Sequence, residues 1–271
     1  MSASIRLFRG AFGHVSILHV VSDLVTHAHG EAHIIIWLDG AAGEMTIAGQ
    51  PVPLGPHTAA AVNSFEPHSH AVPREGGLFL AFYIDPDWAR ARRGLPEGAP
   101  LFSRPDIPLD AWLHGAAIDL LGQLDDCEAP EMADYEIERF IDSMIDAADA
   151  AAPRHRGGRM RGGQDFRVRK SMQLMREKVA ERISFDEVAR SVGLSRPHFF
   201  ALFKEQTRLT PNVYWNTLRM EEALRQLQAT EEPLTAVASN LGFTTQGNFT
   251  RFFRDHAGVP PTVYREAARA V

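Results

Sequence analysis

Only one cysteine, Cys127, occurs in the 271 residues. An intramolecular disulfide is excluded, and a thiol set among Asp125, Asp126 and Glu128 is expected to have a raised pKa and low reactivity. No apolar run approaches the roughly 18 residues that span a bilayer, so no membrane partner is expected. The opening MSASIRLFRG has no apolar core of the kind a signal peptide needs, which points to the cytoplasm. Lysine is missing from residues 1–150, which carry a net charge of −14, whereas residues 151–271 carry +8 within a total of −6. A basic half beside an acidic one is the electrostatic footprint of a domain that binds phosphates, its affinity falling steeply with salt. The acidic half should stay off the same polyanion.

The basic half contains a repeat at an offset of fifty. Ser195 matches Thr245, Phe199 matches Phe249, Phe203 matches Phe253 and Lys204 matches Arg254; Pro211, Val213 and Tyr214 match Pro261, Val263 and Tyr264. Two copies are too few for a solenoid, which needs at least three units to bury a continuous core, so this is a duplicated module. In each copy a hydroxyl residue, Ser195 or Thr245, is placed to cap a helix. Phenylalanines four apart then form one apolar stripe. A shorter amphipathic stretch precedes each helix, SFDEVARSVG or PLTAVASNLG, closed by Gly193 or Gly242. Between the copies, Pro211 opens a run long enough for about five helical turns. Two reading helices on one rigid spacer suit successive major grooves of duplex DNA, about 34 Å apart.

These segments, FDEVARSVGLSRPHFFALFK, TPNVYWNTLRMEEALRQL and VASNLGFTTQGNFTRFFRDHAGVPPTVYR, resemble the DNA-binding domain of the AraC/XylS family of transcription regulators. The resemblance covers residues from about 167 to 269. It departs from the family at Arg208, where a glycine is usual after the first recognition helix, and at Ala201, where an arginine is common. The DNA-facing positions of the first helix are Arg196, Pro197, Phe200 and Ala201, with Ser195, His198 and Lys204 nearby, a set better suited to apolar contact with thymine methyls than to base hydrogen bonds. The second helix is better equipped: Thr245, Gln246, Asn248, Thr250, Arg251 and Arg254 can bond base edges or phosphates, and Arg251 can pair bidentately with guanine. DNA-repair methyl acceptors with a similar domain rely on reactive cysteines, and this chain lacks them.

The acidic half alternates short β-rich runs with Gly and Pro turns: HVSILHVVSD, AHIIIWLDG, GEMTIAG, TAAAVN and GGLFLAFYI. Within THAHGEAHIIIWLDG, His27, His29, Glu31 and His33 alternate, which on an extended strand would aim all four at one face. His68 and His70 repeat the spacing. His27, His29, His33 and Gly40 resemble the first motif of the cupins, with histidine in place of the family's glutamate and Val21 where its upstream glycine stands; Asn63 to His70 suggests the second. Imidazoles so placed suit Zn, Ni, Cu or Fe, or else form the hydrogen-bonding wall of an organic-effector pocket. His14, His19, His57 and His114 have no such partners in sequence and are read as ordinary histidines.

The expected organisation is therefore two-domain. Residues 1–105 form an all-β cupin-like effector domain and 106–150 a helical pair for homodimerisation, with apolar Met132, Tyr135, Phe140, Met144 and Ile145. Residues 151–165 form a basic Gly-rich linker, and 166–271 an all-α domain with two helix-turn-helix motifs. The function implied is a non-enzymatic regulator of promoter DNA responding to a small molecule or metal, in contact with RNA polymerase if it activates. The alternative is a metal-dependent cupin enzyme tethered to a DNA-binding domain, which would need an open coordination position facing a pocket.

Overall fold

The computed structural model describes residues 4–126, 130–151, 165–181 and 183–269. Cys127 and residues 152–164 of the expected linker lie outside the described residues.

Two antiparallel sheets face one another in the N-terminal half. The larger has the spatial order β1 (Ser4–Gly10), β2 (Gly13–Val20), β9 (Gly77–Ile84), β4 (Ala32–Gly40), β7 (Thr58–Val62), β10 (Asp106–Pro108); the smaller has β3 (Leu24–His27), β8 (His68–Ala71), β5 (Glu44–Ile47), β6 (Gln50–Pro53). All five β-rich runs seen in the sequence are strands. The larger sheet is buried on both faces, which is why β4 reads as a continuous apolar run and not as an alternating one. Its Ala32, Ile34, Ile36 and Leu38 face a helical layer, together with Val15, Ile17, Leu80, Phe82 and Ile84. Its Ile35 faces the smaller sheet, with Leu18, Val20, Met45, Ile47, Val52, Phe79 and Ala81.

That helical layer is α1 (Pro86–Arg93), α2 (Ala111–Asp126) and α3 (Pro130–Ala151). Asp85 caps α1 by accepting from the amides of Asp87 and Trp88 at 2.9 and 2.8 Å. Arg92 then pairs with Glu138 and Asp142 at 2.9 and 2.8 Å, and Arg93 with Asp146 at 2.6 Å, fastening α1 to α3. Phe140, Met144 and Ile145 are buried as one stripe, but Met132 and Tyr135 are about 60% exposed and do not belong to it.

The C-terminal half is all helix: α4 (Phe166–Glu177), α5 (Phe185–Ser191), α6 (Arg196–Thr207), α7 (Pro211–Ala229), α8 (Leu234–Asn240), α9 (Gln246–Ala257) and α10 (Pro261–Arg269). The 19 residues of α7 are the expected connecting helix. Its first half packs with Phe199 and Phe203 in one core, and its second half with Phe249 and Phe253 in another. All four phenylalanines are fully buried, each worth about 1.5–3 kcal/mol. Gly193 and Gly242 turn the chain between paired helices at φ of 72° and 71°. Thr245 caps α9, accepting from the Asn248 amide at 3.1 Å. Ser195 has the extended cap conformation but makes no such bond, contrary to the sequence expectation. Pro197 stands at the second helical position of α6 and has no amide hydrogen to offer.

The halves share their cores. Leu7 of β1 is buried among Met220, Leu227 and Tyr264, and Ala28, just past β3, is buried among Phe199, Trp215 and Leu218. The buried Thr217 hydroxyl donates to the Ala28 carbonyl at 3.1 Å. Helices α7 and α9 pack on β3, and α10 packs on β1.

The duplication also exposes a strained position. Gly258 ends α9 at φ 74°, its amide bonding the Arg254 carbonyl; fifty residues earlier Arg208 ends α6 at φ 65°, its amide bonding the Lys204 carbonyl. A side chain is disfavoured in this left-handed region. Arg208→Gly should therefore stabilise the folded chain by about 0.5–1 kcal/mol, seen as a rise in Tm. An unchanged or lower Tm would show that Arg208 carries no net backbone strain.

Candidate metal centre and nucleic-acid interface

Histidines from the two sheets meet at one end of the sandwich. On the larger sheet, cross-strand register sets His14 of β2 and His33 of β4 on either side of Tyr83 of β9. The His14 ring stacks on Tyr83 at 4.2 Å, and the His33 ring meets it edge-on at 4.4 Å. On the smaller sheet, His27 pairs with His68, their rings 4.3 Å apart. His29 bridges the two rows, 4.3 Å from His33, 4.8 Å from His27 and 5.2 Å from His68 by ring centre. One ring nitrogen from each of His27, His29 and His68 lies within 4.8 Å of the others.

The local path differs from the one expected. His27, Glu31 and His33 do not share one strand: β3 ends at His27 in the smaller sheet, and β4 begins at Ala32 in the larger. The residues between carry the chain across the gap of about 10 Å that separates stacked sheets, bending at Gly30 and Glu31. The histidines converge because the chain crosses between sheets there. Glu31 is not one of the trio, and its carboxyl is raised in pKa chiefly by burial. His70 is also outside the trio, packed edge-on against Phe79 at 4.7 Å. His14 belongs to the cluster although sequence spacing gave no sign of it, since only strand pairing brings it to Tyr83.

The ring nitrogens are arranged for ligation. The Nδ1–H groups of His27 and His68 donate to the carbonyls of Val25 and Glu66 at 2.6 and 2.8 Å, which leaves each Nε2 a free lone pair. Metal-bound histidines are commonly fixed in this way. Both ring nitrogens of buried His33 lack a partner among the described residues. Burial, then mutual repulsion, holds His27, His29 and His33 well below the usual imidazole range; burial pushes His68 and His70 down to about 4 and His14 to about 3. All are neutral at pH 7, the form that binds metal.

A surface cleft of about 380 Å³ lies elsewhere, between α1 and α3. Its Arg92 and Arg93 are already neutralised by α3 carboxylates.

The two helices expected to read DNA, α6 and α9, differ in how their exposed side chains are held. On α6, Ser195, Arg196, His198 and Lys204 are exposed, but the Arg196 guanidinium pairs with Asp186 at 3.2 Å and lies over Phe200 at 5.4 Å. On α9, Gln246 and Arg251 are exposed. Asn248 donates to the Thr244 hydroxyl at 2.8 Å and accepts from Arg251 at 3.1 Å, so it aims the arginine. Thr250 is half-buried, Thr245 has its hydroxyl committed to the cap, and Arg254 pairs with Asp255 at 3.1 Å. A feature not seen in the sequence is Arg219 of α7, which donates to the Leu241 carbonyl at 2.8 Å and covers the Phe243 ring at 3.7 Å. It braces the turn leading into α9.

The imidazole pKa shifts set a pH dependence. Histidines depressed in the folded state take up protons more readily when unfolded, so stability rises with pH across the interval. Metal-free protein should hold its full stability above about pH 6.5 and lose it progressively as pH falls toward 4. Denaturant midpoints that stay flat between pH 7 and 5 would show that the cluster is not desolvated as described.

Comparison with known proteins agrees with this architecture. A helix-turn-helix domain model matches residues 188–267. The transcriptional regulator YobQ of Bacillus subtilis is 38% identical over 85 residues, covering 31% of this chain and 35% of YobQ. This stretch is thus about a third of that relative's length. The activator RhaS of Citrobacter koseri is 23% identical over 253 residues, covering 90% of this chain and 88% of RhaS. The structure of ToxT from Vibrio cholerae with an unsaturated fatty acid bound aligns over 99% of this chain and 96% of that one, with a TM-score of 0.55 at 10% identity. The relatives are named as regulators of transcription and not as enzymes, and no helix among the described residues is long and apolar enough to cross a membrane. Residues 188–267 thus match a helix-turn-helix domain, and the chain, a sheet-rich domain followed by a duplicated helical one, is similar along most of its length to AraC-type transcriptional regulators.

Proposed function

We propose that this protein binds promoter DNA through two helix-turn-helix units, α5–α6 and α8–α9, and that a cupin-like N-terminal domain controls that binding in response to an effector. The observation that carries the sensing half is the convergence of His27, His29 and His68, beside His33, at the seam between the domains. A d-block cation such as Zn, Ni, Cu or Fe fits these residues. They offer neutral imidazoles, those of His27 and His68 with Nδ1–H committed to backbone carbonyls and Nε2 left as a lone pair. Tetrahedral coordination at 2.0–2.1 Å needs nitrogens roughly 3.4 Å apart, so side chains now within 4.8 Å close by only about 1.4 Å. The bound cation supplies charge and fixed geometry; the chain supplies orientation and the dry surroundings. His70 stands behind this set as packing against Phe79.

An organic effector is the second reading, favoured by the fatty acid in the ToxT structure. Trp112, Met132 and Tyr135 on α2 and α3 are exposed apolar groups suited to a homodimer contact, and an activator would also meet RNA polymerase.

Metal analysis of untagged protein should find about one equivalent per chain, and none in a variant carrying His27→Ala and His29→Ala. Metal-free wild type after growth and purification with each candidate cation would leave the organic effector as the reading. On the DNA side, Arg251→Ala should cost about 1–3 kcal/mol on the preferred duplex and relax selectivity at one base pair. Equal weakening on all duplexes would make Arg251 a phosphate contact instead.

A further inference from the structure

His256 lies near the C-terminal end of α9, in the DNA-binding half, yet its ring is 5.9 Å from that of His27 and meets it edge-on. It is buried, and its Nδ1–H donates to the Phe252 carbonyl at 2.6 Å. That is the tautomer of His27 and His68, with Nε2 left as a lone pair. This Nε2 is buried and has no hydrogen-bond partner among the described residues. The duplication shows that the first unit solves this position differently. Fifty residues earlier stands Gln206, whose side-chain oxygen accepts from the Asp165 amide within its own domain at 3.3 Å. The second unit has a histidine whose open nitrogen is satisfied by nothing among the described residues and whose ring stands 5.9 Å from that of His27.

We propose that His256 is the DNA-binding domain's own ligand to a d-block cation held by His27, His29 and His68, so that one ion joins the sensor to the second reading helix. The proposal rests on the metal reading of the cluster and adds a role that the N-terminal domain alone does not contain. Four imidazoles make a closed tetrahedral set, the kind used for structure and not for catalysis. The helix so tied carries Gln246 and Arg251 on its exposed part, and its buried face already packs on β3. Occupancy of the site then sets where α9 sits relative to the sheets. By linkage, a cation that changes DNA affinity has its own affinity changed by DNA to the same factor.

The test uses the full chain, freed of metal and titrated with Co(II), whose visible bands report coordination number and ligand type, followed by Zn(II) competition. Wild type is compared with His256→Ala and with His256→Gln, the latter installing the residue that the first unit carries at this position. Both variants should still bind one ion through the N-terminal trio, at least tenfold more weakly, with weaker Co(II) bands as water replaces the fourth imidazole. Zn(II) should change wild-type affinity for a duplex selected from random sequence and leave that of both variants unchanged. Wild type that binds ion while His256→Gln matches it in affinity, spectrum and DNA response overturns this proposal and leaves the sensor's metal site standing. Wild type that binds neither Co(II) nor Zn(II) removes the metal reading itself, and this proposal with it. Melting curves of the three proteins separate loss of a ligand from loss of the fold.

Discussion

Everything in this molecule turns on the seam where β3 lies beneath α7 and α9. There the smaller sheet's His27 and His68 meet His29 and His33, and α9 adds His256, its ring 5.9 Å from that of His27. The Thr217 hydroxyl bond to the Ala28 carbonyl pins the seam at one point, and apolar contacts from Leu7 and Ala28 close it around that point. Desolvation follows from the closure. It keeps the imidazoles neutral, and it makes their unpaired nitrogens costly enough to matter. The same closure brings His256 of α9 beside His27 of β3.

The two helix-turn-helix units are alike in backbone and unlike in their exposed side chains. Each has the same pair of phenylalanines beneath it and a glycine turn ahead of it, so their orientation on α7 is set by one geometry repeated. Their outer faces have diverged. The arginine of the first is drawn back onto Asp186, whereas that of the second is held out by Asn248. Under the proposed function the second unit would read bases and the first would fix register on the backbone, in keeping with the division between phosphate and base contacts.

Much of this was legible before any coordinates. The helical half was readable because its apolar period is strong and repeated at a fixed offset; β2, β4, β7 and β9 were readable because burial on both faces gives long apolar runs, and β5 because it alternates exposed and buried residues. Of the strands left unread, β1, β6 and β10 lie at sheet edges, where β6 even contains Pro51 and Pro53, while β3 (LVTH) and β8 (HSHA) are four residues each and carry few apolar side chains. Short edge strands are partly exposed and leave little pattern. The site divides along the same line. His27, His29 and His68 were identifiable from their spacing, but His14 joins through strand register and His256 through packing between the halves. Neither relation leaves a mark in local sequence. The expectation of a single strand through Glu31 failed for the same reason, because a crossing between sheets has the same residue types as a strand end.

The sharing of Leu7 and Ala28 between the halves bears on how such a protein can evolve. A sensor joined to its reader by a free tether can be exchanged for another by simple recombination. Here the exchange would leave holes in both helical cores, at the place of Leu7 in one and of Ala28 in the other. An incoming sensor would need an apolar residue at each place and a carbonyl facing Thr217. Substitution within the existing N-terminal domain leaves both helical cores filled, whereas replacement of the whole domain does not.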